Sequence, residues 1–426
     1  MANLKNLNMK MKEVLPSETF DFLAMAGRVG LQMGYSLFLV GGTVRDLILG
    51  RPNLDIDLTV EGDAARLAGE LALAHGEEVI AHPRFGTARF KWKRCNVDIA
   101  SAREESYQQP GQLPTVDGPS DIRGDLRRRD FTINALAIDL RPEYFGTFID
   151  VFNGHKDLKA GKIRVLHEKS FQDDATRLWR AVRYEQRFGF RIEPWTFGLV
   201  KRDIACLDSI SPDRLRSELE LCLAEEQPEK VFSRASELGL CQRLSPAWQV
   251  TPRIFKNLVK IRTLMQPYFP PPEIYLAVLF DGIDSRELRH LINRLKLSRS
   301  AALILQDSLA LKNILPTLSQ ADLKNSQIFI LLQTLDTGAL VANRVILDSV
   351  PVQARIELFL NHLRYVKPEL TGDDLIRAGI PSGPLIGEIL EILREAKLDG
   401  KLSTREEELA LAKIIARQTH RPAGPE

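Results

Sequence analysis

Leu39-Val40-Gly41-Gly42-Thr43-Val44-Arg45-Asp46, followed at Asp55 by Asp55-Ile56-Asp57-Leu58-Thr59-Val60, is the stretch on which the reading of this chain turns. Successive side chains of a β-strand point to opposite faces, so Asp55 and Asp57, flanked by Ile56 and Leu58, emerge together on one face. Two carboxylates held side by side repel unless something positive sits between them, and hard oxygen donors of this kind suit Mg²⁺. The paired glycines Gly41 and Gly42 lack Cβ atoms, which lets backbone N–H groups approach an anion while the following segment starts a helix. Phosphate is the anion that fits; Arg45 is a planar donor to grip it, and Asp46 orients the loop. Alone, a Gly-Gly turn is weak evidence and an Asp-x-Asp strand is modest, since both occur in loops and solvated edges. Within twenty residues they reinforce each other.

Short β-branched and aromatic runs surround this stretch at 37–40, 55–60, 88–92, 96–100, 135–140 and 147–151, with helical patterns at 17–33 and 63–75. The first part is therefore α+β. Beyond about residue 171, apolar residues recur at three and four, as in Leu178 and Val182 or Leu215, Leu219 and Leu223, and the remainder reads as all helix. Proline-containing breaks at 269–272, 350–352 and 366–368 divide it into bundles. Residues 421–426, RPAGPE, read as a frayed tail.

The chain has 426 residues, too many for one compact core, and its 44% hydrophobic and 27% charged content is that of a globular chain rather than a disordered one. Lys and Arg total 58 against 56 for Asp and Glu, so overall charge implies no polyanion partner and any such reading must come from local clusters. Cys95, Cys206, Cys222 and Cys241 are scattered, which favours reduced, buried thiols over a zinc site. No run of 18 uncharged apolar residues occurs, and the start MANLKNLNMKMKE lacks the apolar stretch of a secretory signal. These features predict a cytoplasmic protein with no membrane partner.

Three further groups carry chemistry. Asp98 alternates with apolar neighbours in Asn96-Val97-Asp98-Ile99, on what should be a strand adjacent to Asp55 and Asp57. Three acidic groups around Mg²⁺ fit two-metal phosphoryl or nucleotidyl transfer; the alternative is a strand-edge Asp facing water. Arg127-Arg128-Arg129-Asp130-Phe131-Thr132-Ile133-Asn134 sets arginines beside an apolar strand, a mixture suited to ribose hydroxyls and phosphates. On a predicted helix, Asp174, Arg177, Arg180 and Arg183 are spaced by three so that each meets the next across one turn, with Leu178, Ala181 and Val182 on the core side. That row is either an ion-paired surface or, with an Asp acceptor beside an Arg donor, a reader of a base's edge.

LVGGTVRD, DIDLTV, RRRDFTINALAIDL and DDATRLWRAVRYEQRFGF, in this order over residues 20–220, resemble the bacterial class II nucleotidyltransferases, the group of tRNA CCA-adding enzymes and poly(A) polymerases. The resemblance implies a polymerase-β-type head at 1–154, a nucleotide-selecting helical neck at 155–245, a helical body at 246–366 and a tRNA-binding helical tail at 367–426. It places the metal ligands on Asp55 and Asp57, the triphosphate contacts on Gly42 and Arg45 with Gly41 beside them, the ribose contact on Arg129 followed by Asp130, and base selection on Asp174 and Arg177. Arg180 and Arg183 match further nucleotide-contacting arginines. Asp173 stands where the family usually has Glu, which leaves selection of C and A plausible.

The implied activity is Mg²⁺-dependent, template-independent transfer of AMP from ATP, with CMP from CTP as a second candidate, to the 3′ hydroxyl of tRNA. Between Asp98 and Arg127, relatives that add all of CCA tend to carry a loop rich in Asp and Arg, whereas residues 107–114 here read YQQPGQLP. This resembles members adding only the terminal A, working beside a CC-adding partner enzyme. A poly(A) polymerase on general RNA and a catalytically silent RNA-binding protein are the alternatives. Leu279-Phe280-Asp281 has no preceding histidine, so the phosphohydrolase domain of some relatives is not expected. Softer marks are LTGDDL at 370–375, GIPSGP at 379–384, and Lys256, Lys260 and Arg262; each reads either as a contact to RNA phosphates or as an ordinary capped helix or solvated face.

Overall fold

In the computed structural model, which describes residues 5–51, 55–106 and 115–419, the alternating runs are strands. They are β1 (Ser36–Val40), β2 (Asp55–Glu61), β3 (Val79–His82), β4 (Thr87–Trp92) and β5 (Cys95–Ser101), a small hairpin of β6 (Arg103–Ser106) and β7 (Thr115–Pro119), then β8 (Ala137–Asp139) and β9 (Phe148–Ile149). All but the hairpin join one seven-stranded sheet in the order β3-β4-β5-β2-β1-β8-β9. β2 runs parallel to β5 and antiparallel to β1. The predicted stretch 135–140 shortens to β8 because Thr132–Asn134 turns as a 3₁₀ helix. β3 was not anticipated; its short run ends at Pro83 and lies exposed on the sheet edge, so tertiary pairing rather than hydrophobic alternation makes it a strand.

The helices of this part are α1 (Asn8–Val14), α2 (Ser17–Gln32), α3 (Gly42–Leu49), α4 (Ala64–Leu73), α5 (Ile122–Arg127), α6 (Gly154–Ala160), α7 (Ser170–Asp173), α8 (Thr176–Phe188), α9 (Pro194–Asp203), α10 (Pro212–Leu223), α11 (Pro228–Glu237) and α12 (Leu240–Leu244). α2 and α4 cover one sheet face, whose inward residues Leu39, Ile56, Leu58, Phe90, Val97 and Ile99 are buried. Phe22 of α2 stacks on Trp92 with ring centroids 4.5 Å apart. The approach of α2 to the end of β8 is so close that a Cβ at Gly27 would sit 1.9 Å from Leu140 O.

The opposite face is only half covered. Under β1 and β8 it packs Phe38, Val40, Ala135 and Ala137 against Ile122 and Leu126 of α5. Toward β5 and β4 it opens into a cavity of about 580 Å³ lined by Asp57, Thr59, His82, Arg89, Asp98 and Arg129 among others.

The chain divides into two compact units, Met1–Pro246 and Ala247–Glu426. The first holds the sheet and α8, which packs through buried Leu178, Trp179, Ala181 and Val182 against α10 and α11. Within the stretch expected to be all helix, Arg191–Ile192 pairs in parallel with Lys162–Ile163. The second unit is helical among the described residues, with one apolar core around Leu311, Leu332, Leu340, Val352 and Ile356 and another around Leu375, Ile389 and Leu393. Its buried Asp281 is held by Arg253 and by Lys312 Nζ at 2.8 Å. Among the described residues no single helix is long and apolar enough to cross a membrane. Residues 107–114 and 421–426, on which two sequence expectations rest, lie outside the described residues.

Candidate active site

Asp57 is half-buried on the open sheet face and Asp55 exposed beside it, while Ile56 and Leu58 are buried on the other face. Register then brings Asp98 alongside, since it pairs with Asp57 across β2 and β5. Burial pushes the Asp57 carboxyl above its ordinary value; Arg129 opposes this, while Asp98 and Asp55 add to it as like charges. Asn96 Nδ2 donates to Asp55 Oδ1 at 3.2 Å. Asp98 is bound on both oxygens by Arg89, at 2.6 and 2.9 Å.

The loop before α3 is welded to this strand. Thr43 Oγ1 donates to Asp55 O at 3.1 Å and accepts from Asp57 N at 3.3 Å, so the first turn of α3 sets where both carboxylates stand. Gly41 has φ +70, and a Cβ there would meet Arg129 Nη1 at 2.6 Å. Its N–H donates to Leu136 O at 3.0 Å and so is not available to an anion, which corrects the expectation for Gly41; Gly42 begins the helix as expected. Arg45 departs from expectation too. It is 4% exposed, donates twice to Asp46 at 2.9 Å and to Asn134 Oδ1 at 2.6 Å, and lies over the Phe188 ring at 4.6 Å.

Arg129 reaches across Gly41 because Asp125, fully buried, anchors it at 2.9 Å and also binds Arg128. Burial works to raise the Asp125 carboxyl, but Arg129 and Arg128 hold it below its usual range. Asp130 accepts from Phe131 N and Asn134 Nδ2 on one oxygen and from Arg180 at 2.9 and 2.6 Å on the other. Against its burial, chiefly the Arg180 charge pulls it down to about 2.

The expected continuous helix through Asp173 and Arg183 is broken. α7 ends at Asp173, Asp174 is extended, and its Oδ1 accepts from the N–H and hydroxyl of Thr176 at 3.0 and 2.6 Å in the first turn of α8. Local capping by a short acidic side chain competes with helix continuation, which is why the three-residue spacing failed here. The side chains of the arginines accordingly turn away from Asp174, while Arg180 and Arg183 meet over Glu218 and the Tyr184 ring. Arg177 is buried, donating to Ser170 Oγ at 2.8 Å and Arg128 O at 2.7 Å. Arg180 serves Asp130, and buried Arg183 faces Glu218 and Glu225, each at 3.5 Å. Asp174 instead meets Arg214 of α10 at 2.7 Å.

The structure thus gathers Asp55, Asp57, Asp98, Gly41, Gly42 and Arg129 at the open half of the sheet, with Arg45 buried behind the Gly42 turn against Phe188. Asp130, Arg177 and Arg180 stand along the seam between α8 and the loop after α5, while Asp174 and Arg183 turn to α10 and to Glu225 just beyond it. Sequence reasoning missed Asp125, Thr43, Arg89 and Arg214. Asp125 was legible from its three- and four-residue spacing to Arg128 and Arg129; Arg89 and Arg214 are tertiary partners with no local signal. In the second unit, Thr371 and Asp374 form a reciprocal cap at the LTGDDL helix, in line with the capped-helix reading. Lys260 borders a groove with Arg344 and Glu357.

Two family patterns match this chain, the Poly A polymerase head domain over residues 37–164 and the "Probable RNA and SrmB- binding site of polymerase A" over 189–250. An A-adding tRNA nucleotidyltransferase of Halalkalibacterium halodurans is 32% identical, covering 96% of this chain and 95% of its own length. The chain belongs to the tRNA nucleotidyltransferase and poly(A) polymerase family. Another relative in this family, an A-adding tRNA nucleotidyltransferase of Geobacter sulfurreducens, is 35% identical over 97% of the chain, which spans about half, 49%, of that longer protein. The Thermotoga maritima CCA-adding enzyme complexed with tRNA(CCA) superposes with a TM-score of 0.77 at 32% identity, covering 97% of this chain and 99% of its own.

A divalent cation fits the Asp55 and Asp57 pair by donor chemistry: both are carboxylates, and burial together with like charge disfavours the ionised Asp57 even against the opposing charge of Arg129. Among the described residues, no cluster of three or more His, Cys, Asp or Glu side chains is gathered for a metal.

Proposed function

We propose that this protein is a tRNA nucleotidyltransferase that transfers AMP from ATP to the 3′ hydroxyl of a CC-ended tRNA, completing the CCA end beside a CC-adding partner enzyme. The observation that carries the reading is the Asp55 and Asp57 pair on an open sheet face, tied through Thr43 to the Gly42 end of α3 and faced by Arg129. Asp55 and Asp57 would hold Mg²⁺, which when bound lowers the pKa of the attacking hydroxyl and steadies the departing pyrophosphate. Gly42 at the helix start receives the triphosphate, and Arg45 backs that turn. Arg129, held by Asp125, faces the ribose. Asp174 accepts on Oδ1 from Thr176 and Arg214, which leaves its other oxygen for a base amino group, while Arg177, expected as the donor beside it, is taken up by Ser170 and Arg128 and holds the turn. Arg180 with Asp130 braces that helix against the head, and Arg183 with Glu218 braces it against α10.

The division into head (1–154), neck (155–245), body (246–366) and tail (367–426) is part of this proposal, as is a cytoplasmic location. Terminal A addition is supported by the two A-adding relatives over nearly the whole chain and by the YQQPGQLP composition of 107–114. The test supplies purified protein with Mg²⁺, ATP or CTP, and tRNA transcripts ending at the discriminator base, after one C and after CC. Extension of only the CC-ended transcript by one A is expected. Extension of all three to CCA would make it a complete CCA-adding enzyme, and tailing of unrelated RNA a poly(A) polymerase.

A further inference from the structure

Arg89 plays no part in the function proposed above, yet it occupies one of the site's carboxylates. It stands on β4 opposite Asp98, and Asp98 stands on β5 opposite Asp57, so a guanidinium and two carboxylates form one row across three strands of the open face. Nε donates to Asp98 Oδ1 at 2.6 Å and Nη2 to Oδ2 at 2.9 Å, a two-pronged, charge-assisted pair. Because β5 lies between β4 and β2, this grip ties both Asp98 oxygens to a residue on the β4 side, while the Asp98 charge still acts on Asp57. Asp55 and Asp57 also act on the Arg89 charge, so it sits in the field of all three acids. The pairing explains why three acids on one sheet face do not come together as a three-ligand cluster.

We propose that Arg89 is a positioning residue that holds Asp98 out of the divalent-ion site, limiting the protein's ligands to Asp55 and Asp57. The proposal rests on the metal role given to those two aspartates. Its consequence is weak ion binding by the nucleotide-free protein, the remaining oxygen ligands arriving with the triphosphate. Removing the guanidinium releases a third carboxylate and deletes a nearby positive charge, both of which strengthen binding of a cation.

The probe is Mn²⁺, titrated against the full chain without nucleotide and followed by the electron paramagnetic resonance signal of the unbound ion. Arg89→Met, which keeps the aliphatic stem, should bind Mn²⁺ about tenfold more tightly than the unaltered protein, with Arg89→Gln behaving alike. Arg89 is 59% exposed, so neither change threatens the core. The gain should persist at about 0.5 M KCl, where remote charge effects are screened but direct ligation is not. It should vanish in the Arg89→Met, Asp98→Asn double variant. Unchanged or weaker binding in both Arg89 variants, a gain that survives in the double variant, or a gain abolished by salt overturns the proposal. Asp57→Asn separates the two levels: if it leaves Mn²⁺ binding at the original strength, the metal reading fails and this inference with it.

Discussion

Two regions of the first unit are both rich in charged side chains and behave oppositely. On the open half of the sheet, acids stand next to acids beside a cavity of about 580 Å³, and burial raises Asp57 above its ordinary value. Along α8 the charges are spoken for: Arg177 donates to Ser170 and Arg128, Arg180 to Asp130, and Arg183 faces two glutamates. A buried guanidinium without acceptors would cost several kcal/mol, so the seam of α8 must satisfy its arginines internally. An open sheet face has no such requirement, and there Asp57 keeps Asp55 and Asp98 as like charges beside it, with Arg129 the largest opposing charge and Arg89 paired to Asp98. Motif density alone therefore does not distinguish charges that do chemistry from charges that hold elements together.

The sharpest way to break this contrast is to neutralise each side in turn. Asp57→Asn should lower AMP transfer by about a thousandfold or more, the scale of losing a metal ligand. Its thermal midpoint should stay level or rise. The sign follows from the raised folded pKa: the ionised form is disfavoured in the folded state, so removing the charge relieves it at neutral pH. A fall in stability matching the fall in activity would mean that Asp57 belongs with the bracing charges.

Asp125→Ala is the complementary change. It strips two arginines of a fully buried partner and should cost about 3–5 kcal/mol in denaturant unfolding, with Arg129 displaced from Gly41. Near-normal stability would show that Arg128 and Arg129 find water or other acceptors, and that the braced region is looser than its geometry.

The smallest effect is the pH dependence of Asp130. Its carboxyl is lowered to about 2 from an ordinary 3.8, so it contributes stability that is fully present above pH 3.8 and is lost as pH falls through about 2. Replacement by Asn should remove roughly 2 kcal/mol of that acid-sensitive stability. Comparing acid unfolding midpoints of the two proteins measures it, and identical acid profiles would remove Asp130 from the bracing network.

The strand assignments near the acids were legible because a period of two and β-branched runs are local properties, and they put Asp55 and Asp57 on one face without knowledge of the rest. β3 was illegible because only pairing with β4 makes its exposed residues a strand. The helix row from Asp174 was read as continuous because spacing by three is compatible with a helix; the capping hydrogen bonds of Asp174 to Thr176 compete within the same four residues, and spacing does not weigh them.

By itself, then, the sequence determined the class of the first part, the shared face of Asp55 and Asp57, the helix beginning at Gly42 and the order of motifs that marks the family, because each depends on neighbours within one turn or one strand. Tertiary structure alone decided that Arg89 would seize Asp98, that Arg129 would lie over Gly41, and that Arg45 would be buried against Phe188. Those outcomes depend on strand register and helix placement, which bring together residues 9 to 143 positions apart by burying apolar faces and then requiring every charge carried inside to find an acceptor.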